Sequence, residues 1–562
     1  MRRRTALQRM AMTPLAVPLA AATLSGQETP SQSPGVQKEE DSILSLAGAG
    51  LERGLQTLRS QDLRPHFEIV RGRQILFVEG LPFFVLTAEV PWHQSHYGRY
   101  RETMGYWDYL YPAARKMHLN TLKVTMKWSQ IEPTKGVFDF SYVDHVKALA
   151  EANGLKLIMG WFGHYASGSS GNICRNLDNE VFAPMDIIED EKTYPRAVDG
   201  DGRAYHGIIS YAYDAVIERE ATAFRAFMRH LREIDAKSHT VIMIQVENEI
   251  NVFNGEFAHN NPKMWRDHSP RSNELFKAGG YMDDLKYSAE RMASGWLRRV
   301  TEAGAQECSL PFYMNFPDGK LGGMLGYSPG EDVATYLRLC PQASFVSINL
   351  YSESAREAEI RRRIEPYRVD RNIVAISETN SDRSPVAPRL AFLAVGEYAA
   401  PLFSPWAFNV SFPAPAEPYV LKDGTLANGA FDLARAYTSI ERAVPAIALC
   451  AGTDKLKVFL DGESSTSEVA GAKATVAYDS GGQMMVLHPE PDEFLVIGWK
   501  ASVRLDSPMA KWPALKKLRV EAGRWEGSRW IPAPDPVYYH VQDEQVVIEL
   551  FEEPLVVRVF SR

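Results

Sequence analysis

The 562-residue sequence holds only four cysteines, Cys174, Cys308, Cys340 and Cys450. None forms a CxxC pair, so neither a thiolate zinc site nor a dithiol redox motif is encoded. Free buried thiols are expected, with one disulfide left open. Beyond the N-terminus no run of eighteen apolar residues occurs, and stable membrane insertion is not expected. Basic runs are missing too. The net charge is −8 and the isoelectric point about 6.0, which speaks against nucleic acid as a partner. No GxSxG, P-loop or dinucleotide fingerprint is found. His93 and His96 form an HxxH pair without a spaced carboxylate or third ligand, so no metal site is expected. Internal repeats and extended low-complexity segments are absent as well.

Hydrophobic residues make up 45% and charged residues 23%, the balance of a soluble globular protein with a large core. The length exceeds one ordinary domain and suits a barrel with one or two smaller domains. At the start, Arg2, Arg3, Arg4 and Arg9 precede an apolar stretch from Met10 to Leu24 that ends in small residues. That order describes an export signal, and the RRRTAL start resembles a twin-arginine signal. A periplasmic or extracellular location follows as an expectation. Thr13, Pro14 and Pro18 interrupt the run, so a disordered tail stays open. Residues 1–40 are read as signal and leader, and 41–82 as a helix and a β-hairpin.

From about residue 80 to 440, short apolar runs alternate with amphipathic segments. The runs are 83–89, 121–128, 155–161, 241–249, 312–315, 345–351, 372–378 and 400–406. Most lack polar/apolar alternation, as strands buried on both faces do. In 214–236, Phe224, Phe227, Met228, Leu231 and Ile234 recur at helical spacing, as do Leu285, Met292, Trp296 and Val300 later. Eight such units predict an α/β fold, a (β/α)8 TIM barrel over 83–444. After residue 445 the strand-like runs and turns predict an all-β accessory domain to 562.

In this fold the site gathers at the C-terminal strand ends. Several runs end there in polar or aromatic residues: Glu89, Trp128, Trp161, Asn248 with Glu249, Tyr351, Glu378 and Trp406. Alternation predicts that Glu247 and Glu249 share a face and Asn248 opposes them, unless the strand end bends. A solvated strand end or a structural ion pair is the plain alternative. Strands four and seven lie across the mouth of a closed barrel, so Glu249 and Glu378 can face one sugar. Glycoside hydrolysis uses such a pair, one carboxyl protonating the leaving oxygen and the other attacking or supporting the anomeric carbon. A separation of about 5–5.5 Å retains configuration, whereas roughly 6.5–9.5 Å inverts it. The long connections 162–213 and 250–282 leave from the same rim and are expected to shape the sugar pocket.

The segment IQVENE (244–249) resembles the fourth-strand motif of family 35 glycoside hydrolases, the β-galactosidases of a retaining (β/α)8 clan. Residues 120–141 resemble the second-strand segment shared with family 42 β-galactosidases. Further similarity, through 223–250, 265–270 and 493–508, is to a bacterial branch with a small C-terminal β-domain of undefined function. The resemblance implies that Glu249 is the acid/base, Glu378 the nucleophile and Asn248 a ligand of the sugar 2-hydroxyl. It further implies that Tyr351 bonds the nucleophile and that Trp406 floors the sugar site. The third-strand Asn-Ala-Glu-like motif of the family is replaced by MGWFGHYASG (159–168), which has no acid. Glu89, His93, Trp161 and His164 are candidates for its role, and Trp128 for a further contact; Glu132 is read as a possible brace. For Trp161 and the histidines, core packing and plain surface placement stay open.

These features predict a retaining exo-β-glycosidase, most simply a β-galactosidase, with a carbohydrate substrate and no cofactor. The same machinery on a glucoside, a xyloside or a marine galactan is one alternative. A catalytically dead glycan-binding barrel is the other.

Overall fold

The computed structural model describes residues 49–91, 107–163, 182–250, 253, 261–316, 329–351, 357–380, 386–409, 417–461, 466–506, 518–543 and 545–561. The expectations for residues 1–40, His93, His96, His164 and Cys174 lie outside them. Cys308, Cys340 and Cys450 are free thiols.

Eight strands form the central sheet: β1 (Val85–Leu86), β2 (Thr121–Lys127), β3 (Lys156–Phe162), β4 (Val241–Asn248), β5 (Phe312–Phe316), β6 (Ala343–Leu350), β7 (Ile376–Thr379) and β8 (Leu402–Phe403). The neighbouring pairs from β2 round to β8 and on to β1 are parallel. The ring then closes. Beyond β1, Glu89 bridges Lys123 of β2; the Lys123 N–H donates to the Ala88 carbonyl at 3.1 Å and the Val90 N–H to that of Lys123 at 2.8 Å. A helix follows each strand: α1 (Leu110–Lys116), α2 (Ser141–Ala152), α3 (Asp214–Asp235), α4 (Arg298–Ala305), α5 (Pro329–Leu339), α6 (Glu357–Ile364), α7 (Val386–Phe392) and α8 (Asn428–Glu441). The chain is a (β/α)8 barrel, as the alternation of apolar runs and amphipathic segments predicts.

Side-chain alternation sorts the wall. On β3, Leu157, Met159 and Trp161 join the core between sheet and helices, whereas Ile158 belongs to the cluster inside the barrel. The same inner cluster takes in Leu76 and Val78 of an antiparallel hairpin, His66–Val70 with Arg73–Val78. That hairpin therefore stoppers the floor of the barrel, opposite the rim that carries Glu249 and Glu378. On α3, Phe224, Phe227, Met228 and Leu231 are buried toward β3 and α4.

The region after 445 begins with a helix, Val444–Cys450, rather than a strand. Its seven residues, VPAIALC, are mostly buried, and Pro445 at the first turn suits a helix start. The all-β part follows, with β9 (Leu456–Leu460), β10 (Ala472–Glu490), β11 (Glu493–Asp506), β12 (Leu518–Glu526) and β13 (Leu555–Ser561) in the order β9-β10-β11-β13-β12. Met484, Val486, Phe494 and Val496 fill its own core, while Met485, Leu487, Leu495, Ile497 and Trp499 pack into that of the barrel. Trp499 meets Phe392 of α7 edge-on at 5.2 Å. Burial on both faces explains why these runs are continuously apolar. Among the described residues no helix is long and apolar enough to cross a membrane.

Candidate active site

The VIMIQ stretch of β4 is fully buried, and Asp235 anchors its start by accepting from the Thr240 and Val241 N–H groups at 3.0 and 2.8 Å. Its far end departs from regular strand. Glu247 and Glu249 have φ of 63° and 46°, in the left-handed region that side chains rarely adopt. The pairing with β5 shifts there as well, Tyr313 opposing Gln245 and Asn315 opposing Asn248. Glu247 and Glu249 are therefore parted. Glu247 turns into the layer behind β3, where it accepts from the Gly163 N–H at 2.8 Å. Asn248 and Glu249 stay half-buried at the barrel mouth, where Asn349 of β6 donates to Glu249 Oε1 at 2.7 Å.

Asn315 joins the two sides of the mouth. Its Nδ2 donates to Asn248 Oδ1 at 2.7 Å and to Glu378 Oε1 at 2.8 Å, while Ser347 donates to its Oδ1 at 2.9 Å and fixes the amide orientation. The Tyr351 hydroxyl donates to Glu378 Oε2 at 2.9 Å. Burial and the facing Glu378 carboxylate hold the Tyr351 phenol well above its ordinary pKa, so it stays a donor. Glu378 lies in β7, only 6% exposed, and faces donors and one cation.

That cation is Lys123, fully buried inside the barrel. Its Nζ lies 2.7 Å from Glu89 Oε2, 3.2 Å from Ser377 Oγ and 3.6 Å from Glu378 Oε1. Burial works against its charge, yet Glu89, Tyr313 and Glu378 raise its pKa above the ordinary value. The Glu89 carboxyl is itself pushed up, to about 7, by burial, with Lys123 pulling the other way. A cation within reach of two acids is the arrangement these contacts support, so Lys123 carries the charge. Asn315, Asn349 and Lys123 were not among the expected site residues. Their signal was a polar residue inside each apolar run, at FYMN, FVSINLY and TLKVTMK.

Three expected substrate contacts are corrected. Glu89 is 0% exposed and is spent on Lys123 rather than presented at the rim. Trp161 points outward by alternation, packs on Phe224 and Phe227 at 5.2 and 5.7 Å, and donates to Glu220 at 3.1 Å. Trp128 starts a helical turn, Trp128–Ile131; it is fully buried and donates to Glu132 Oε2 at 2.8 Å. Glu132 also accepts from the Gly136 N–H at 2.7 Å and lies 3.4 Å from Arg219, so it braces this corner. Trp406 follows β8 and is half-buried, its N–H donating to the Thr379 carbonyl at 2.9 Å. Asn248, Glu249, Tyr351 and Trp406 thus share an accessible rim with Glu378 beneath it.

The described parts of the two long connections, 182–213 and 261–282, fold onto each other. Asp267 accepts from the Val198 N–H at 3.0 Å and from Ser269 Oγ at 2.7 Å, and it also bonds Ser210 Oγ. The Gly200 N–H donates to the Lys263 carbonyl at 2.7 Å.

Residues 101–162, across β2 and β3, match the sequence model of a β-galactosidase family, and residues 433–534 match that of a domain of unknown function. No curated protein sequence matches the chain. Among solved structures, the chain is similar to a β-galactosidase from the Antarctic haloarchaeon Halorubrum lacusprofundi, at 12% identity and a TM-score of 0.42 over 63% of this chain and 57% of that one. It is also similar to the exo-β-1,4-mannosidase Op5Man5 from Opitutaceae bacterium strain TAV5, at 14% identity and a TM-score of 0.41 over 65% and 61%. A family 39 glycoside hydrolase from Bacteroides cellulosilyticus WH2 aligns over 87% and 84% at 13% identity and a TM-score of 0.39. The chain thus spans under two thirds of the first two enzymes.

Proposed function

We propose that this protein is a retaining exo-β-glycosidase of β-galactosidase type. Glu378 is the nucleophile and Glu249 the acid/base. The observation that carries the reading is the single Asn315 amide that bonds both Asn248, beside Glu249, and Glu378. It ties the two strand ends together across one mouth. Donors from Asn315 and Tyr351, with Lys123 behind them, suit a carboxylate that attacks as an anion. Glu249, half-buried at the rim, is placed to meet a departing oxygen.

Glu378 attacks the anomeric carbon and forms a glycosyl ester, while the Glu249 carboxyl gives its proton to the leaving oxygen. A water then gives a proton to the Glu249 carboxylate and attacks the same anomeric carbon, breaking its bond to the Glu378 oxygen, which frees the Glu378 carboxylate and releases the sugar with its configuration retained. Galactose as the sugar rests on the family match over 101–162 and on the IQVENE resemblance.

The test is hydrolysis of a panel of nitrophenyl β-glycosides by wild type, Glu249→Ala and Glu378→Ala, with the product anomer read by NMR. Wild type is expected to prefer the β-galactoside and release the β-anomer, and both variants to lose activity at least a thousandfold on substrates needing acid assistance. Full activity in either variant overturns the assignment. Another preferred sugar would keep the mechanism and replace the substrate.

A further inference from the structure

Behind the bent end of β4 lie two carboxyl groups that the mechanism above does not use. Glu220 on α3 is 0% exposed and Glu247 is 2% exposed. Glu220 receives the Trp161 Nε1–H at 3.1 Å and the Trp296 Nε1–H at 2.7 Å, and the Glu247 carboxyl bonds it as well. Glu247 receives the Gly163 N–H at 2.8 Å. A Cβ on Gly163 would sit 3.3 Å from an oxygen of each carboxyl, so glycine leaves the pair its space. Around it lie Tyr211, Arg219 of α3, Glu132 after β2, and Arg291, whose guanidinium donates to the Tyr211 carbonyl at 3.0 Å. Arg219 is held by Asp186 at 2.6 and 3.0 Å.

We propose that Glu220 and Glu247 share one proton, and that this carboxyl–carboxylate hydrogen bond holds the turned end of β4 so that Glu249 aims into the barrel mouth. Two ionised carboxylates cannot bond each other in a dry layer. Glu220 meets two indole donors, so the proton belongs on Glu247, which gives it to Glu220 and accepts from Gly163 with its other oxygen. Left-handed backbone at Glu247 and Glu249 costs energy, and it persists only where side chains over-determine it. Burial also pushes Glu220 up to about 7, against the lowering by its donors. The two carboxyls titrate together, so the pair keeps its shared proton below about that pH and loses it above. The bond is therefore present in acid solution and lost as the pH rises through about 7. Glu247 and Glu220 act as positioning residues. The consequence for Glu249 rests on the glycosidase reading; the shared proton does not.

Two measurements on the full chain separate these claims. Intrinsic tryptophan fluorescence is titrated from pH 5 to 10, because two indoles donate directly to the titrating pair. Wild type should show a transition near pH 7 that is missing from Glu247→Gln, whose amide donates to Glu220 permanently while its oxygen accepts from Gly163. An unchanged transition in Glu247→Gln overturns the shared proton. The second measurement compares aryl glycosides with good and poor leaving groups, since a dinitrophenolate departs without acid help. Glu247→Ala should lose at least tenfold in kcat/KM, which reports only the steps up to formation of the glycosyl ester, on the 4-methoxyphenyl glycoside and under threefold on the 2,4-dinitrophenyl glycoside, and Glu247→Gln should restore both. Equal losses on the two substrates, or no rescue by glutamine, overturn the aiming role. Should wild type cleave no glycoside, the glycosidase reading and the aiming role fail together, and the fluorescence titration still decides the proton.

Discussion

Hydrogen-bond donors rather than charges dominate the neighbourhood of the two proposed reacting acids. Asn315 spends both amide hydrogens, one on Asn248 and one on Glu378. Asn315→Ala is expected to lower kcat/KM about 10²-fold, the scale of losing one preorganised donor. Steady-state kinetics on the preferred aryl glycoside checks this, with circular dichroism to show that the barrel persists. Tyr351→Phe removes one donor from Glu378 and leaves Asn315 in place, so a smaller loss, about 10-fold, is expected in the same assay. A Tyr351→Phe variant more impaired than Asn315→Ala would reverse this ranking.

At the scale of elements, the barrel wall is built by close approach of helices and strands. Gly304 of α4 faces the ring of Phe224 on α3 without room for a methyl group. Gly304→Ala is therefore expected to destabilise by about 1–3 kcal/mol through overpacking, despite the better helix propensity of alanine. Urea denaturation followed by circular dichroism reads this, and a stabilised variant would show that the α3–α4 contact yields. β4 combines the same close packing with a bend. Its first five residues are locked in the wall, and the change of backbone hand at Glu247 and Glu249 sends successive side chains to different layers.

For the whole molecule, Arg558 of β13 is the knot between parts distant in sequence. It pairs with buried Glu493 of β11 at 2.5 Å, lies 3.5 Å from Glu52 of the helix Ala49–Gln56, and stacks near Trp525, Trp530 and Phe560 at 5.2, 5.9 and 4.7 Å. Burial raises Glu493 from 4.5 to about 7, with Arg558 opposing. The folded chain then binds more protons here than the unfolded chain between those two values. The stability this group contributes is present below about pH 4.5 and lost as pH rises through about 7. Taking Arg558 away enlarges that loss, because an ionised Glu493 is left buried alone. Arg558→Met is expected to cost about 3–5 kcal/mol at pH 8 and markedly less at pH 5, where Glu493 can protonate. Urea melts at the two pH values test it, and an equal cost at both would sink the argument.

Much of this architecture is legible along the chain. Strands buried on both faces must be apolar throughout, so eight such runs announce the barrel and put Glu249 and Glu378 at the ends of the fourth and seventh strands. These are local properties, set by residues within one run. The inner or outer facing of Trp161, the burial of Glu89 against Lys123 and the helical turn at Trp128 were decided only in the closed ring, where each side chain meets partners from other strands and helices. The same holds for Asn315, whose two acceptors lie 67 and 63 residues away. Periodicity assigns Glu247 and Glu249 to one face. The tertiary structure separates them, because Gly163 and Glu220 hold one carboxyl behind the wall while Asn349 meets the other at the mouth. The sequence by itself determined which segments are strands and which acids end them. Contacts between distant segments decided where those acids point, since a backbone bend costs little against several hydrogen bonds formed out of water.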